Sequence, residues 1–462
     1  MKKIKIISLL MVLVMIAGLV SGCGGKDKQA STDGVTEITM WSSNSHSRAF
    51  MTEKVDEFNR TIGKENGIKF VYEVREDAGQ QIKIALQSGT EPDLFAPGTL
   101  SEFAENNYIV PLDAVPGIAE TVAKNNRFKE ENSSHWNGKQ YRMSVGSSAT
   151  GLAYNKDLFK KAGLVDENGE AKPPETIEEL VEYAKILTDK EQRQYGIIFP
   201  LKWGSWYDME LAAPSIPISG KASGCFNVQD GVYDFNGIKP LASAFLQMKE
   251  DGSIYPGAEG LDNDPARARF AEGNIGMKFA AMWDVGVWNS QFVANSDWGI
   301  APVPVASKEE RYMPGVGCSY SISIGKNGLE RKGAEKIAVV FNWLYSDEMQ
   351  IAEGEAGISL PNRPDLIEKC DFSKSPKGWS DFAEIVKVGT NVYGGLPRDL
   401  SAYESDGVDF VNRVWSGKIT LDQWIEDRNR ISAECVELYK KNNPTRDFSY
   451  RVNPDFDIRI KN

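Results

Sequence analysis

Apolar positions along the chain fall into two rhythms. Glu37-Ile38-Thr39-Met40-Trp41 alternates with the period of two expected of a half-buried strand, and Ile68, Phe70, Tyr72 and Val74 repeat it. Between them, Met51, Val55, Phe58 and Ile62 keep the spacing of one helix face. Ala78, Ile82, Ala85 and Leu86 predict a second helix closed at Gly89, and Asp93-Leu94-Phe95-Ala96 predicts a third strand. Strand, helix, strand, helix, strand is the order of a doubly wound α/β layer.

The alternation resumes further on. Leu152-Ala153-Tyr154 predicts a strand, residues 157–162 and 176–188 two helices, the second opened by a capping pair at Thr176 and Glu179, and Gly196-Ile197-Ile198-Phe199 a strand again. Two successive α/β units follow from this. Residues 205–260, rich in Pro, Gly and aromatics, predict long loops over one lobe, and helices are predicted over 334–344 and 420–440.

The N-terminus breaks the pattern. Lys2, Lys3 and Lys5 precede an apolar run from Ile6 to Val20, a charged segment and a hydrophobic segment too short to span a bilayer, as in a secretory signal over residues 1–22. Leu19-Val20-Ser21-Gly22-Cys23 resembles the lipobox of bacterial lipoproteins, in which the cysteine is acylated and becomes the new N-terminus. The polar, Gly- and Ser-bearing residues 23–34 then predict a flexible tether.

Composition fits this picture. The 462 residues exceed what one hydrophobic core organises, so at least two domains are expected. The net charge of −12 becomes −15 once the three leader lysines are removed, which argues against a nucleic-acid partner. With only two His, and with Cys225, Cys318, Cys370 and Cys435 far apart and without CxxC spacing, no metal site is indicated. An oxidising exterior permits disulfides among these four, with the pairing left open.

Catalytic signatures are missing: there is no Gly-x-Ser-x-Gly elbow, Walker lysine loop, Gly-x-Gly-x-x-Gly or His-Glu-x-x-His. Asp166-Glu167-Asn168-Gly169-Glu170 lacks the ligand ladder of a calcium loop and reads as a solvated turn. The aromatics are more informative. Trp203, Trp206 and Tyr207 share one Gly- and Ser-containing loop, and Trp283 and Trp288 follow the strand-like Ile275-Gly276-Met277-Lys278-Phe279. Indole faces stack on the C–H-rich face of a pyranose while nearby polar groups bond its hydroxyls, so such clusters suit a neutral carbohydrate.

Several segments in fixed order carry a family resemblance. Glu91-Pro92-Asp93-Leu94-Phe95, Phe103-Ala104-Glu105-Asn106-Asn107-Tyr108-Ile109-Val110-Pro111-Leu112-Asp113, Trp136-Asn137-Gly138-Lys139-Gln140-Tyr141 and Gly151-Leu152-Ala153-Tyr154-Asn155-Lys156-Asp157-Leu158-Phe159 come first. Phe270-Ala271-Glu272-Gly273-Asn274-Ile275-Gly276-Met277, Gly299-Ile300-Ala301-Pro302-Val303-Pro304 and Leu360-Pro361-Asn362-Arg363 follow. The chain resembles the maltose-binding-protein-like sugar-binding proteins of bacterial ABC importers over nearly its whole mature length.

The resemblance implies a two-lobed α/β fold, each lobe a doubly wound sheet flanked by helices, with the ligand in the cleft between them. It implies an N-lobe of residues 35–148 and 303–348 and a C-lobe of 149–302 and 349–462, with crossovers near 146–151 and 302–317. The implied protein is a monomeric receptor without cofactor or catalysis, anchored through lipid on Cys23 at the outer face of the cell membrane and feeding permease subunits. Trp283 takes the place of a sugar-stacking tryptophan, with Asp284 beside it to accept hydroxyls.

The remaining candidates come from position and composition. The loop from Trp41 through Ser43, Asn44 and His46, and that at Gly98 and Thr99, leave strand C-terminal ends, where open α/β sheets bind ligands. Ser148 and Gly317 fall at the expected crossovers, Trp203 and Trp206 in the aromatic loop, and Arg363 in Leu-Pro-Asn-Arg. Three rival readings remain: a non-sugar solute on the same fold, a secreted glycoside hydrolase with a carboxylate pair about 5–9.5 Å apart, and a surface receptor that feeds a sensor kinase in place of a permease.

Overall fold

The computed structural model describes residues 34–96, 98–127, 134–221, 224–308, 312–391 and 395–459. The predicted leader, Cys23 and the tether up to residue 33 lie outside them. Two sheets organise the molecule. In the first, Thr36–Ser42 pairs in parallel with Ile68–Val74 on one side and Leu94–Phe95 on the other, and Ser321–Ile324 continues the sheet antiparallel to Leu94–Phe95 and to the edge strand Arg142–Ser144. Helices Arg48–Arg60 and Ala334–Leu344 cover it, burying Met51, Val55, Phe58, Ile337 and Phe341 against Ile38 and Met40.

The second sheet is built around Ser147–Asn155. Ile275–Ala281 flanks it on one side, and Gly315–Cys318 and Trp298–Ala301 share the other. Tyr195–Ile197 extends the sheet next to Ile275–Ala281, and Thr390–Asn391 pairs with Gly315–Cys318. All seven residues of Ile275–Ala281 are buried, as expected of a strand covered on both faces. Leu152, Met277 and Phe279 pack into one core, Ala153, Ala280 and Ile300 into another on the opposite face. The helix Ile177–Ile186 opens with the expected capping box between Thr176 and Glu179.

The chain passes between the sheets at three places that are bonded together. Arg142–Ser144 leads into Ser147–Asn155, Gly315–Cys318 leads into Ser321–Ile324, and a third passage lies between Met349, in the core of the first sheet, and Leu360, in that of the second. Val145 N donates to Tyr320 O at 2.9 Å, Ser319 N to Gly146 O at 2.9 Å, and Ser147 N to Leu360 O at 2.7 Å. Gly146 is required by this close approach: a Cβ there would collide with Ser359 Oγ and sit 2.7 Å from Leu360 O.

Two expectations are corrected here. Residues 303–318 do not go with the first sheet: Val303 joins the core beside the second, and Gly315–Cys318 pairs with Ser147–Asn155. The second crossover is therefore at Ser319 and Tyr320, not at 302–317. The stretch 205–260 is not chiefly loop either, since Lys239–Asp251 is a 13-residue helix burying Leu241, Phe245 and Met248. Pro240 is tolerated there because it falls at the helix start, where its missing N–H costs nothing.

Asp166 Oδ1 accepts from its own turn at Asn168 N (2.8 Å) and Glu170 N (2.9 Å), in keeping with a solvated turn. Cys225 and Cys435 are buried free thiols.

Candidate ligand-binding cleft

A cavity of about 1030 Å³ lies between the sheets, with the crossing strands at its back. The loop after Thr36–Ser42 brings Ser43, Asn44 and His46 to one wall, and the passage between the sheets adds Ser148 and Tyr320. The opposite wall comes from Trp203, the start of helix Asn263–Ala271 and the turn after Ile275–Ala281.

That turn shows how the sequence aims Trp283. The buried strand ends at Ala281, whose N–H donates to Asp284 Oδ2 at 3.0 Å and folds the chain back. Met282 goes into the core while Trp283, 39% exposed, is left on the cavity wall. Asp284 is only 2% exposed, and its Oδ1 accepts from Arg267 Nε at 2.7 Å. The hydroxyl-accepting role expected of Asp284 therefore gives way to a positioning one.

Arg267 is itself fixed by Asp264 Oδ1 at 2.7 Å, and Trp288 Nε1 donates to its carbonyl at 3.2 Å. In the same wall Asn263 Oδ1 and Trp379 Nε1 are buried with no hydrogen-bond partner among the described residues.

The other predicted residues separate. Ser148 lines this cavity and also a smaller adjoining one, where Gly317 lies. Trp206 is 2% exposed and packs edge-on against Tyr207, with ring centroids 5.8 Å apart, so it belongs to the core. Gly98 and Thr99 line a separate depression beside Gln80 and Phe103. Trp41 is half-buried beneath the Arg75 guanidinium, 3.4 Å from its ring centroid. Arg363 is engaged by Asp347 at 2.7 Å and Asp365 at 2.6 Å, away from the cavity.

Sequence reasoning missed Asn263, Arg267, Tyr320 and Trp379. The polar run Asp262-Asn263-Asp264-Pro265 is a helix-start signal that offered a hint. Nothing local marks the other three.

Behind Tyr320 lies a buried acid. Burial pushes the Glu353 carboxyl up to about 8, against the lowering effect of its hydrogen bond with the Tyr320 hydroxyl. Raised above the ordinary 4.5, this group contributes stability that is whole below pH 4.5 and is lost as pH rises through 8. Glu353→Gln, which cannot titrate, is expected to match the native protein near pH 5 and to exceed it by a few kcal/mol near pH 9, in urea unfolding. Parallel pH profiles for the two proteins would refute this.

Residues 42–351 match the family model described as bacterial extracellular solute-binding protein. The chain belongs to that family. A maltotriose-binding protein of Pyrococcus abyssi is 24% identical over 252 residues, covering 54% of this chain and 49% of its own length. An sn-glycerol-3-phosphate-binding periplasmic protein of Brucella melitensis is 28% identical over 232 residues, covering 48% and 49%. The chain thus spans about half the length of these curated relatives.

Among solved structures, the maltose/maltodextrin-binding domain of Bdellovibrio bacteriovorus bound to maltotriose matches with a TM-score of 0.59 at 20% identity, covering 87% of this chain and all of that one. The fold is that of the two-lobed binding proteins of ABC importers. No helix among the described residues is long and apolar enough to cross a membrane.

Proposed function

We propose that this solute-binding protein captures a neutral carbohydrate in the cleft and delivers it to an ABC permease, acting as a monomer held at the outer membrane face by lipid on Cys23. The observation that carries the reading is Trp283, a large indole presented to the cavity from the end of a fully buried strand, with polar side chains around it. Residues 19–23 support the lipid anchor, and the family supports the permease.

Electrostatics separate this reading from its rivals. Arg267 is taken up by Asp264 and Asp284, and Lys202 lies 3.9 Å from Asp262, so the cations at the cavity already face acids. An anion such as a phosphomonoester would have to compete with these acids for Arg267 and Lys202. Asp264 and Asp284 both hold Arg267, so neither is poised to protonate a glycosidic oxygen. Lobe closure on the ligand is the expected response, a population shift driven by contacts to both walls.

Calorimetric titration against neutral sugars and glycerol 3-phosphate tests the proposal. One-to-one binding of a neutral sugar without product formation, and no heat with glycerol 3-phosphate, is the expected result. Tight binding of the phosphate ester would favour the anionic solute, and turnover would favour the hydrolase.

A further inference from the structure

Trp283 and Ser148 line two cavities at once. Beyond the main one lies a second of about 380 Å³, walled by Tyr207, Met209, Ala213, Ala149 and Gly317. Its far end is rigid. Arg398 grips Asp406 with two hydrogen bonds, at 3.3 and 2.7 Å, and lies 4.3 Å from the centroid of the Tyr233 ring, while Arg428 Nε holds Asp406 from the other side at 2.8 Å. Two guanidinium groups on one buried carboxylate leave it saturated.

Asp208 differs from Asp406. It lines the same cavity from the helical turn Tyr207–Ala212, stays exposed to it, and shows no ion pair or side-chain hydrogen bond among the described residues. Although the side chain meets solvent, the protein packed around its carboxyl and the Asp406 charge push it up, against the lowering effect of Arg398. The compartment therefore offers methyl and aromatic surface, which suits the C–H face of a ring, a carboxylate acceptor in Asp208, and the hydroxyl-bearing Ser148, Thr150 and Tyr207 in its lining.

Resting on the saccharide reading above, we propose that this second cavity is a binding compartment in its own right: the ligand is an oligosaccharide with sugar units on both sides of Trp283, and the unit in the smaller cavity donates to Asp208. A single pyranose stacked on one side of the indole leaves the other compartment unfilled. The donor is a hydroxyl in a neutral oligosaccharide or an ammonium in an amino-sugar oligomer, and both present the same chemistry to a carboxylate.

The test titrates the protein with glucose, galactose and xylose and with the di- and trisaccharides built from each, together with glucosamine and its dimer. The cognate disaccharide is expected to bind at least tenfold tighter than its monosaccharide. Asp208→Ala and Ala213→Phe, one removing the acceptor and the other filling the cavity, are each expected to bring that ratio towards one. A glucosamine dimer that outbinds every neutral dimer identifies the ammonium as the donor; the reverse order identifies the hydroxyl.

Equal affinity for mono- and disaccharide, or a ratio untouched by both variants, would overturn the two-compartment proposal and leave the saccharide reading standing. No binding by any sugar would overturn both. Thermal melting of each variant establishes that it is folded, and Asp208→Ala, at an exposed site, serves if Ala213→Phe does not fold.

Discussion

Trp283→Ala is expected to weaken sugar binding by roughly 100-fold while leaving the unfolding free energy nearly unchanged. A stacked ring removes on the order of 100 Å² of indole surface from water, which at about 25 cal/mol per Å² is worth about 2.5 kcal/mol. At about 1.4 kcal/mol per tenfold in affinity, that is close to two decades. Stability is spared because Trp283 is 39% exposed and lies outside the cores. Trp283→Phe keeps a smaller stacking face and is expected to fall in between.

Trp206 and Trp288, at 2% and 1% exposure, should show the opposite pattern on truncation: about 3–5 kcal/mol of stability lost by the cavity each leaves. Calorimetry and denaturant unfolding of the three alanine variants read both quantities. Native affinity in Trp283→Ala would remove the indole from the binding site.

The contrast among these tryptophans shows what the sequence discloses. Local spacing was legible: the alternation at Ile68, Phe70, Tyr72 and Val74 became a strand, residues 334–344 a helix, and Thr176 with Glu179 a capping box. Each of these is decided within a few residues of chain. Depth was not legible. Trp203 and Trp206 stand three positions apart in the same Gly- and Ser-bearing loop, yet the first lines the cleft and the second is sealed among Tyr207, Phe410 and Trp424.

Which face of that loop turns inward depends on segments far along the chain. Pairing at a distance was also hidden. Arg267 and Asp284 join across 17 positions, and Tyr320 reaches the cleft only because the passage between the sheets occurs there and not at 302–317. That Asp284 is buried and engaged by Arg267 was hidden for the same reason, since its partner could not be seen. Cleft walls made from long-range pairs leave little trace in local periodicity.

One such pair lies beneath the proposed ligand compartments. Lys278, on the buried strand that leads to Trp283, donates to Glu210 Oε1 at 2.7 Å and to Phe279 O at 2.8 Å. Glu210 belongs to the turn that carries Tyr207 and Asp208, and both charged residues are about 1% exposed. Burial pushes the Glu210 carboxyl up to about 7 despite the ammonium beside it, so this acid is close to giving up its charge at neutral pH.

The two ends of the pair should therefore respond unequally. Glu210→Leu strands an ammonium in the core with one carbonyl for company, and is expected to cost about 3–5 kcal/mol. Lys278→Met leaves an acid that takes up a proton, so its cost is smaller near pH 6 and grows as pH rises above 7, where staying protonated becomes harder. The double variant, with two apolar side chains of similar volume, is expected within about 1 kcal/mol of the native protein. Urea unfolding of the three variants at pH 6 and pH 9 reads this ordering. Equal costs for the single variants at both pH values would mean that the pair acts through packing alone, with neither charge deciding the stability of the walls that hold Trp283 and Asp208.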